Sequence, residues 1–414
     1  MSAFSIPLSG LAAESAALNA IANNLANLNT DGYKSQSISF GDLFNQMQGV
    51  SGNGDPIQVG SGVEVGGITS DYSNGSVNST GIATNMALQG NGFFVVRNSG
   101  DNQMSFTRDG NFSMNAQGQL CTSGGQLVLG YPAANGQISS GAAPVPINLN
   151  DQSTIPSVAT SSFQMTTNLD ANAATGATFS SPISVYDSLG NAHALTVQYT
   201  KTGSNTWSYS VTIPSADVGG TGTTTQVASG TLTFDSSGNL TSPASPVSGI
   251  KISGLADGAA DMSLSWDLTG SGGASLLTQQ ASTSATASTT QNGYGVGTLT
   301  GFSVLPDGTI QGQFSNNQTL ALGQVAVASF SNVQGLTQTG NGNLVSTAAS
   351  GAAVIGKAGA GGNGSIVGDA VENSNVNLSA EFSSMIVAQQ GYEASAKVLT
   401  TMNQISQATI QLIT

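Results

Sequence analysis

The two ends of this chain carry apolar stripes at helical spacing, about 340 residues apart, and most of the sequence between them alternates like β-strand. At the N-terminal end Leu11, Leu18 and Leu25 fall seven apart, with Ile21 and Leu28 filling the neighbouring stripe. At the C-terminal end Leu378, Phe382, Met385, Gln389, Tyr392, Ala396 and Leu399 keep four-three spacing, which predicts a coiled-coil seam. Neither stripe can be buried by its own helix, so each requires a partner. The nearest is the other end of the chain, and after that further copies of the same chain. The spacing predicts an N-terminal helix over residues 5–28, with Pro7 tolerated in its first turn. At its helical rise that segment is about 36 Å long, and the C-terminal helix about 52 Å. Part of the longer helix is therefore left to find other subunits.

Composition narrows the function. Only 7% of the residues are charged, against roughly 25% in ordinary soluble proteins, and a surface short of charge has little electrostatic protection against self-association. The formal net charge is −14. Lys34, Arg97, Arg108, Lys201, Lys251, Lys357 and Lys397 are scattered singly, so no basic patch exists to neutralise a phosphate backbone or dock on an anionic membrane. No nucleic-acid partner and no membrane insertion are expected, since no apolar run approaches the roughly 20 residues of a span. The opening MSAFSIPLSG lacks a basic n-region and a long apolar h-region, so export without a cleaved signal peptide is expected.

Catalytic and metal chemistry find little support. Cys121 is the single cysteine and His193 the single histidine. They lie some seventy residues apart and make no ligand cluster or nucleophile–base pair. Cys121 reads as a partly buried small hydrophobe. Carboxylates fall mostly in turns, at Asp31-Gly32, Asp109-Gly110, Asp257-Gly258 and Asp307-Gly308, where the glycine supplies positive φ. No cofactor is implied, and the chain is not read as an enzyme.

The order of textures along the chain is nested. Residues 1–30 and 371–414 form the paired terminal helices. Residues 31–70 form a connector, with a short helical apolar face at Phe40, Leu43, Phe44 and Met47 and hinge glycines Gly49, Gly54, Gly60, Gly62, Gly66 and Gly67. Residues 71–157 and 291–370 make an inner β domain, opened by the buried-strand run Phe93-Phe94-Val95-Val96. Residues 158–290 make an inserted outer β domain. There Leu195, Val197 and Tyr199 alternate with polar neighbours, as do Trp207, Tyr209, Val211 and Ile213, and Met262, Leu264, Trp266 and Leu268. That pattern predicts an antiparallel sandwich or barrel. The Pro-rich stretch 142–160 and the low-complexity stretch 282–297 read as linkers at its borders. The fold class is mainly β with α-helical termini, the outer antiparallel β domain inserted in the inner one.

Three ordered motifs carry a family resemblance. SGLAAESAALNAIANNLANLNTDGYKSQ at 9–36, which holds Asn23, Asn24, Asn27, Gly32, Tyr33 and Lys34, resembles the amino-terminal signature of bacterial flagellar rod and hook proteins. ALQGNGFFVV (87–96), TRDGNFSMNAQGQL (107–120) and VLGYP (128–132) resemble the first β domain of that family. MIVAQQGYEASAKVLTTMNQI (385–405) resembles its carboxy-terminal helix, although Gln390-Gly391 stand where an arginine is usual, and Asn91 stands where an aspartate is common. The length and VYDSLGNAHALTVQYTK (185–201) match the hook subunit, since rod proteins largely lack the inserted domain.

The resemblance implies a structural subunit that polymerises into a curved, flexible tube, transmits torque from rod to filament and encloses an export channel. It implies copies of the same chain, the distal rod protein, the hook cap protein, the hook–filament junction protein and the flagellar type III export apparatus as partners. It implies an extracellular location on the flagellum. A stiff distal rod subunit is the nearest alternative. A secreted β-rich adhesin or carbohydrate-active enzyme, with helical ends for anchoring, is the alternative from another class, and it predicts an aromatic or acidic cluster in the middle domain.

Overall fold

Wherever apolar and polar residues alternate, a strand puts its apolar members on one face and its polar members in water. The computed structural model describes residues 4–44, 46–51, 56–98, 100, 103–139, 141–270 and 272–413. Two helices close the ends, α1 over Ser5–Ala26 and α2 over Leu378–Ile413, and β-strands make up most of what lies between them. The chain divides into two units: residues 1–151, 301–312 and 320–414 form the first, and residues 152–300 and 313–319 the second.

In the first unit the returning chain pairs with strands laid down on the outward pass. Phe93–Arg97 runs antiparallel to Met104–Thr107 and to Leu127–Ala134, and its Phe93 and Phe94 pair with Ala328 and Val327 of Thr319–Ser329. Further along, Ser365–Gly368 pairs with Met86–Gln89, and Ala370–Glu372 with Val77–Ser79. Phe93, Val95, Phe106, Leu129, Tyr131, Ala326, Ala328 and Leu344 fill the core of this unit. Phe93 and Phe106 meet Phe330 edge-on, with ring centroids 6.0 and 4.8 Å away. Cys121 is buried on the short strand Leu120–Thr122.

The second unit is a sandwich of two five-stranded sheets among the described residues. One sheet is wholly antiparallel, running from Thr178–Tyr186 through Ala192–Gly203, Thr206–Pro214 and Thr224–Phe234 to Leu240–Ser242. The other departs from the antiparallel expectation. Ser162–Asp170 lies parallel to Met262–Asp267 and Leu277–Gln280, and only Val247–Ile252 and Ala285–Gln291 add antiparallel pairings. The cause is connectivity: the chain crosses to the other sheet between these strands, and so long a crossover permits parallel return. Trp266 is fully buried against Phe163, Tyr199 and Tyr209, with centroids 5.3–6.1 Å apart. Trp207 Nε1 donates to Gln279 Oε1 of the facing sheet at 2.9 Å. Both tryptophans are core residues and form no exposed aromatic cluster.

Three local expectations are corrected. Residues 36–42 are a strand, Gln36–Asp42, paired with Val63–Ser70, and Met47 lies in the strand Gln46–Val50 paired with Pro56–Val59. The apolar face read as helical therefore does not form. Ser37, Ile38, Ser39 and Phe40 alternate, and a distant partner strand overrides the weak local helical period. The low-complexity stretch 282–297 is likewise structured: Ala285–Gln291 pairs with Ser162–Asp170, its Ser and Thr side chains serving as strand formers. Gly110 has no positive φ, and a Cβ there would strike the Met86 carbonyl oxygen, so that turn needs glycine for room.

Leu264 is 1% exposed in the sandwich core, whereas Leu189 is 55% exposed. Leu264→Ala is expected to cost about 2–5 kcal/mol by leaving a cavity, and Leu189→Ala less than about 0.5 kcal/mol. Urea unfolding followed by tryptophan fluorescence checks both, because the two tryptophans lie in this unit.

Candidate functional site

The N-terminal helix faces α2 with its small residues. Ala13, Ala17, Ala20 and Ile21 are buried on α1, Ala388 is buried on α2, and Leu18, Leu25, Ile38 and Met385 pack around them. The helices run antiparallel. A Cβ on Gly10 would lie 3.0 Å from Ser395 Oγ, one on Gly391 2.6 Å from Glu14 Oε1, and Asn24 Nδ2 donates to Glu381 Oε1 at 2.9 Å. Gly391, which costs about 1 kcal/mol in an isolated helix, thus makes room for the α1 side chain that crosses it.

The observed seam on α2 is displaced from the expected one. Glu381, Ala388, Gly391 and Ser395 face α1, each one residue before Phe382, Gln389, Tyr392 and Ala396 of the four-three stripe. One residue is about 100° of helix rotation. Small residues on α1 favour close approach by small residues on α2, and the large apolar ones are turned outward. Leu378, Phe382 and Tyr392 are 44%, 50% and 42% exposed, joined by Ile386, Val387, Val398 and Ile405. Met385, Ala396 and Leu399 are half-buried, as are Leu11, Leu18, Leu25 and Leu28. The register puts Ser5 opposite Thr400, so α2 continues beyond the start of α1.

At the other end of α1 the chain turns sharply into the strand Gln36–Asp42, and the Asn23–Lys34 segment forms the corner. Asn24 is buried: its Oδ1 accepts from Gln36 N at 2.8 Å and from Tyr33 Oη at 3.2 Å, while its Nδ2 donates to Gln36 O at 2.8 Å. One carboxamide thereby closes the corner and reaches α2. Asn23 Nδ2 donates to Tyr33 Oη, and Asn27 Nδ2 to Asn23 O. Gly32 has φ +69°, and a Cβ there would lie 2.5 Å from the Arg108 carbonyl carbon. Its N–H donates to Glu372 O at 2.7 Å.

Beneath the corner lies a buried ionic clasp. Glu372 Oε1 accepts from Lys34 Nζ at 2.7 Å and Gly75 N at 2.8 Å, and Oε2 accepts from Arg108 Nη1 at 3.2 Å. The side chains of Lys34, Arg108 and Glu372 are 5%, 4% and 0% exposed. Lys34 also donates to Ser73 O at 2.7 Å, Arg108 to Leu88 O and Gly90 O, and the Arg108 guanidinium sits 5.4 Å from the Phe93 ring centre. Burial pulls both the Lys34 ammonium and the Arg108 guanidinium below their ordinary values, and the Glu372 carboxylate opposes that pull. Beside it Asn375 accepts from Ser35 N at 2.7 Å and donates to Asp71 O at 2.8 Å. The clasp thus ties the outgoing chain, the first β domain and the returning chain to one another just before α2 begins. Sequence reasoning singled out Lys34 but missed Glu372, Arg108 and Asn375, which have no local spacing signal.

Of the glycines expected to act as hinges, Gly49 has φ +141° and open space beside it, and Gly60 is exposed. Gly62 packs on α1, where Ser9 Oγ accepts from Val63 N at 3.2 Å, and Gly66 and Gly67 lie within the strand Val63–Ser70. Gly54 lies outside the described residues. His193 and Cys121 fall in different units.

Long terminal helices around nested β units, with an apolar helix face left uncovered, define the class of axial proteins that build helical assemblies. Family models match at residues 6–34 (flagella basal body rod protein), 87–200 (flagellar hook protein FlgE/F/G D1 domain), 148–294 (flagellar basal body protein FlaE D2 domain) and 368–412 (flagellar basal body rod FlgEFG protein C-terminal). The chain is 35% identical to the flagellar hook protein FlgE of Salmonella typhimurium over 99% of both chains, and 35% identical to that of Escherichia coli over 99% and 100%. It is 30% identical to FlgE of Treponema pallidum over 98% of both. A crystal structure of Helicobacter pylori flagellar hook protein FlgE2 shares the fold, with a TM-score of 0.50 at 15% identity over 70% of this chain and 98% of that one. The chain belongs to the flagellar hook protein family.

Glu372→Ala would leave two buried cations without their carboxylate, and is expected to cost about 3–5 kcal/mol. Gly32→Ala is expected to destabilise by more than about 1 kcal/mol, because of its φ and its contact with Arg108. Denaturant unfolding monitored by far-UV circular dichroism checks both.

Proposed function

We propose that this chain polymerises through the outward face of α2 and the far end of that helix, forming the curved tube of the hook. The observation that carries the proposal is the exposed pair Phe382 and Ile386 away from α1, with Val398 and Ile405 exposed toward and beyond the end of the pairing, on a helix 36 residues long opposite one of 22. A groove of about 480 Å³ between α1, α2 and the strand Gln36–Asp42, lined by Ala17, Ile21, Ile38, Phe40, Val387 and Ala388, offers a second copy an apolar seat. A contact that joins unlike faces and does not close builds an open helical array. In such an array the helix pairs line the export channel.

Torque transmission requires that a load on the β units reach the helices without the chain unfolding between them. The Lys34–Glu372–Arg108 clasp and the Asn24 corner supply coupling through buried ion pairs and hydrogen bonds at that point. Bending then occurs by sliding between subunits and at the open positions Gly49 and Gly60. The distal rod protein, the hook cap, the hook–filament junction protein and the type III export apparatus are the partners this reading assigns, with export preceding assembly.

The test is electron microscopy of concentrated full-length protein beside a Phe382→Ser/Ile386→Ser variant. Curved tubes from the first and dispersed particles from the second, with an unchanged unfolding midpoint, are expected. Tubes of equal length from both would remove α2 as the assembly surface, and straight tubes would favour a rod subunit.

A further inference from the structure

The single histidine of the chain sits in the second unit among three aspartates drawn from separate loops. His193 is the second residue of the strand Ala192–Gly203 and is 7% exposed. Its Nε2 lies 3.1 Å from Asp187 Oδ2, in the turn before that strand, and 3.7 Å from Asp257 Oδ2. Its Nδ1 lies 3.0 Å from Asp217 Oδ2, on the short 3-10 turn Ser215–Val218. Asp187 Oδ1 is already occupied, accepting from the backbone N–H groups of Leu189, Gly190 and Asn191 at 2.7–2.9 Å.

Ionised carboxylates only accept hydrogen bonds, so an imidazole with both ring nitrogens against carboxylates must donate from both. That is the imidazolium form. The three acids reach it from both sheets of the sandwich. Asp187 and Asp217 belong to connections of the antiparallel sheet, and Asp257 to the connection between Val247–Ile252 and Met262–Asp267 of the other. The same loops are stitched beside the histidine by Asn191 Nδ2 to Asp257 Oδ2 at 2.9 Å, Ala256 N to Asp217 O at 2.9 Å and Ala260 N to Ser188 Oγ at 3.0 Å.

We propose that His193 is a proton-operated latch, which as imidazolium locks the loops of both sheets together at this end of the second unit and releases them when it loses its proton. Asp187, Asp217 and Asp257 are the ionisable groups that face it among the described residues. Burial pulls the imidazole down, but its bonds to Asp217 and Asp187 outweigh this and raise it above the ordinary histidine value. Burial likewise pushes the Asp187 carboxyl up, and its bonds with His193 and with the Asn191 and Leu189 amides outweigh that and hold it well below the usual carboxylate range. The folded-state value of His193 exceeds the unfolded one. The latch is therefore fully set below the unfolded value, near pH ~6.5, and is lost as pH rises through the folded value.

The test uses the full chain, in which one histidine gives one imidazole signal and both tryptophans report on the second unit. Nitrogen-15 spectra are expected to show both ring nitrogens protonated near pH ~7, with a titration midpoint above ~6.5. Asp217→Asn, which keeps the loop and removes the Nδ1 acceptor charge, is expected to lower that midpoint. Raising the pH from about 6 to about 9 is expected to lower the tryptophan-monitored melting temperature about 2–4 °C further in the wild type than in His193→Gln. A neutral imidazole near pH ~7 would overturn the proposal, as would the same pH dependence in both chains. EDTA is expected to leave the wild-type melting temperature unchanged at constant pH. A drop on adding EDTA would make the cluster a metal site and overturn the latch.

Discussion

The Glu372 carboxylate is the point on which the first unit depends. It lies at the end of the last short strand before α2, and it binds one cation from the segment after α1 and one from the first β domain. Glu372 thus shares its buried charge with two stretches that lie 338 and 264 residues before it. A buried pair of this kind adds little net stability over a well-packed apolar core, but removing one partner is costly because the others remain charged and dry. Its value is specificity of position. A misplaced α2 would leave Lys34 and Arg108 buried without a counter-ion, so the clasp sets where the returning chain must dock.

From that docking point the helix pair follows. Asn24 completes the corner and reaches Glu381, which sets the register of α2 against α1. The register then brings Ala17 and Ile21 against Ala388, and Gly391 against Glu14. Close approach through small residues gives dense contact over little area. It also leaves the large apolar side chains of α2 outside, where only another molecule can cover them. The register thereby splits the stripe visible in the sequence: Leu378, Phe382 and Tyr392 lie exposed, while Met385, Ala396 and Leu399 are half-buried.

The second unit depends instead on aromatic packing between sheets. Trp266, Phe163, Tyr199 and Tyr209 form one contact group, and Trp207 bridges to Gln279 across the sandwich. The loops near His193 are held by charge and hydrogen bonds as well as by apolar contact, with Leu255 in the core and Val218 and Ala259 packed against it.

The sequence by itself determined the local and periodic features. Alternation at Leu195, Val197 and Tyr199 and at Trp207, Tyr209, Val211 and Ile213 marked strands that bury those side chains, because period two follows from backbone geometry alone. The two terminal helices and the corner glycine Gly32 were legible for the same reason. Tertiary structure alone decided which face of α2 meets α1, that residues 36–42 pair with 63–70 as a strand, and that 285–291 joins a sheet instead of linking one. It alone brought Glu372 and Arg108 to Lys34, and three aspartates to His193. Partners that meet across long sequence separations are chosen by which buried groups can satisfy one another, and that choice leaves no spacing in the chain to read.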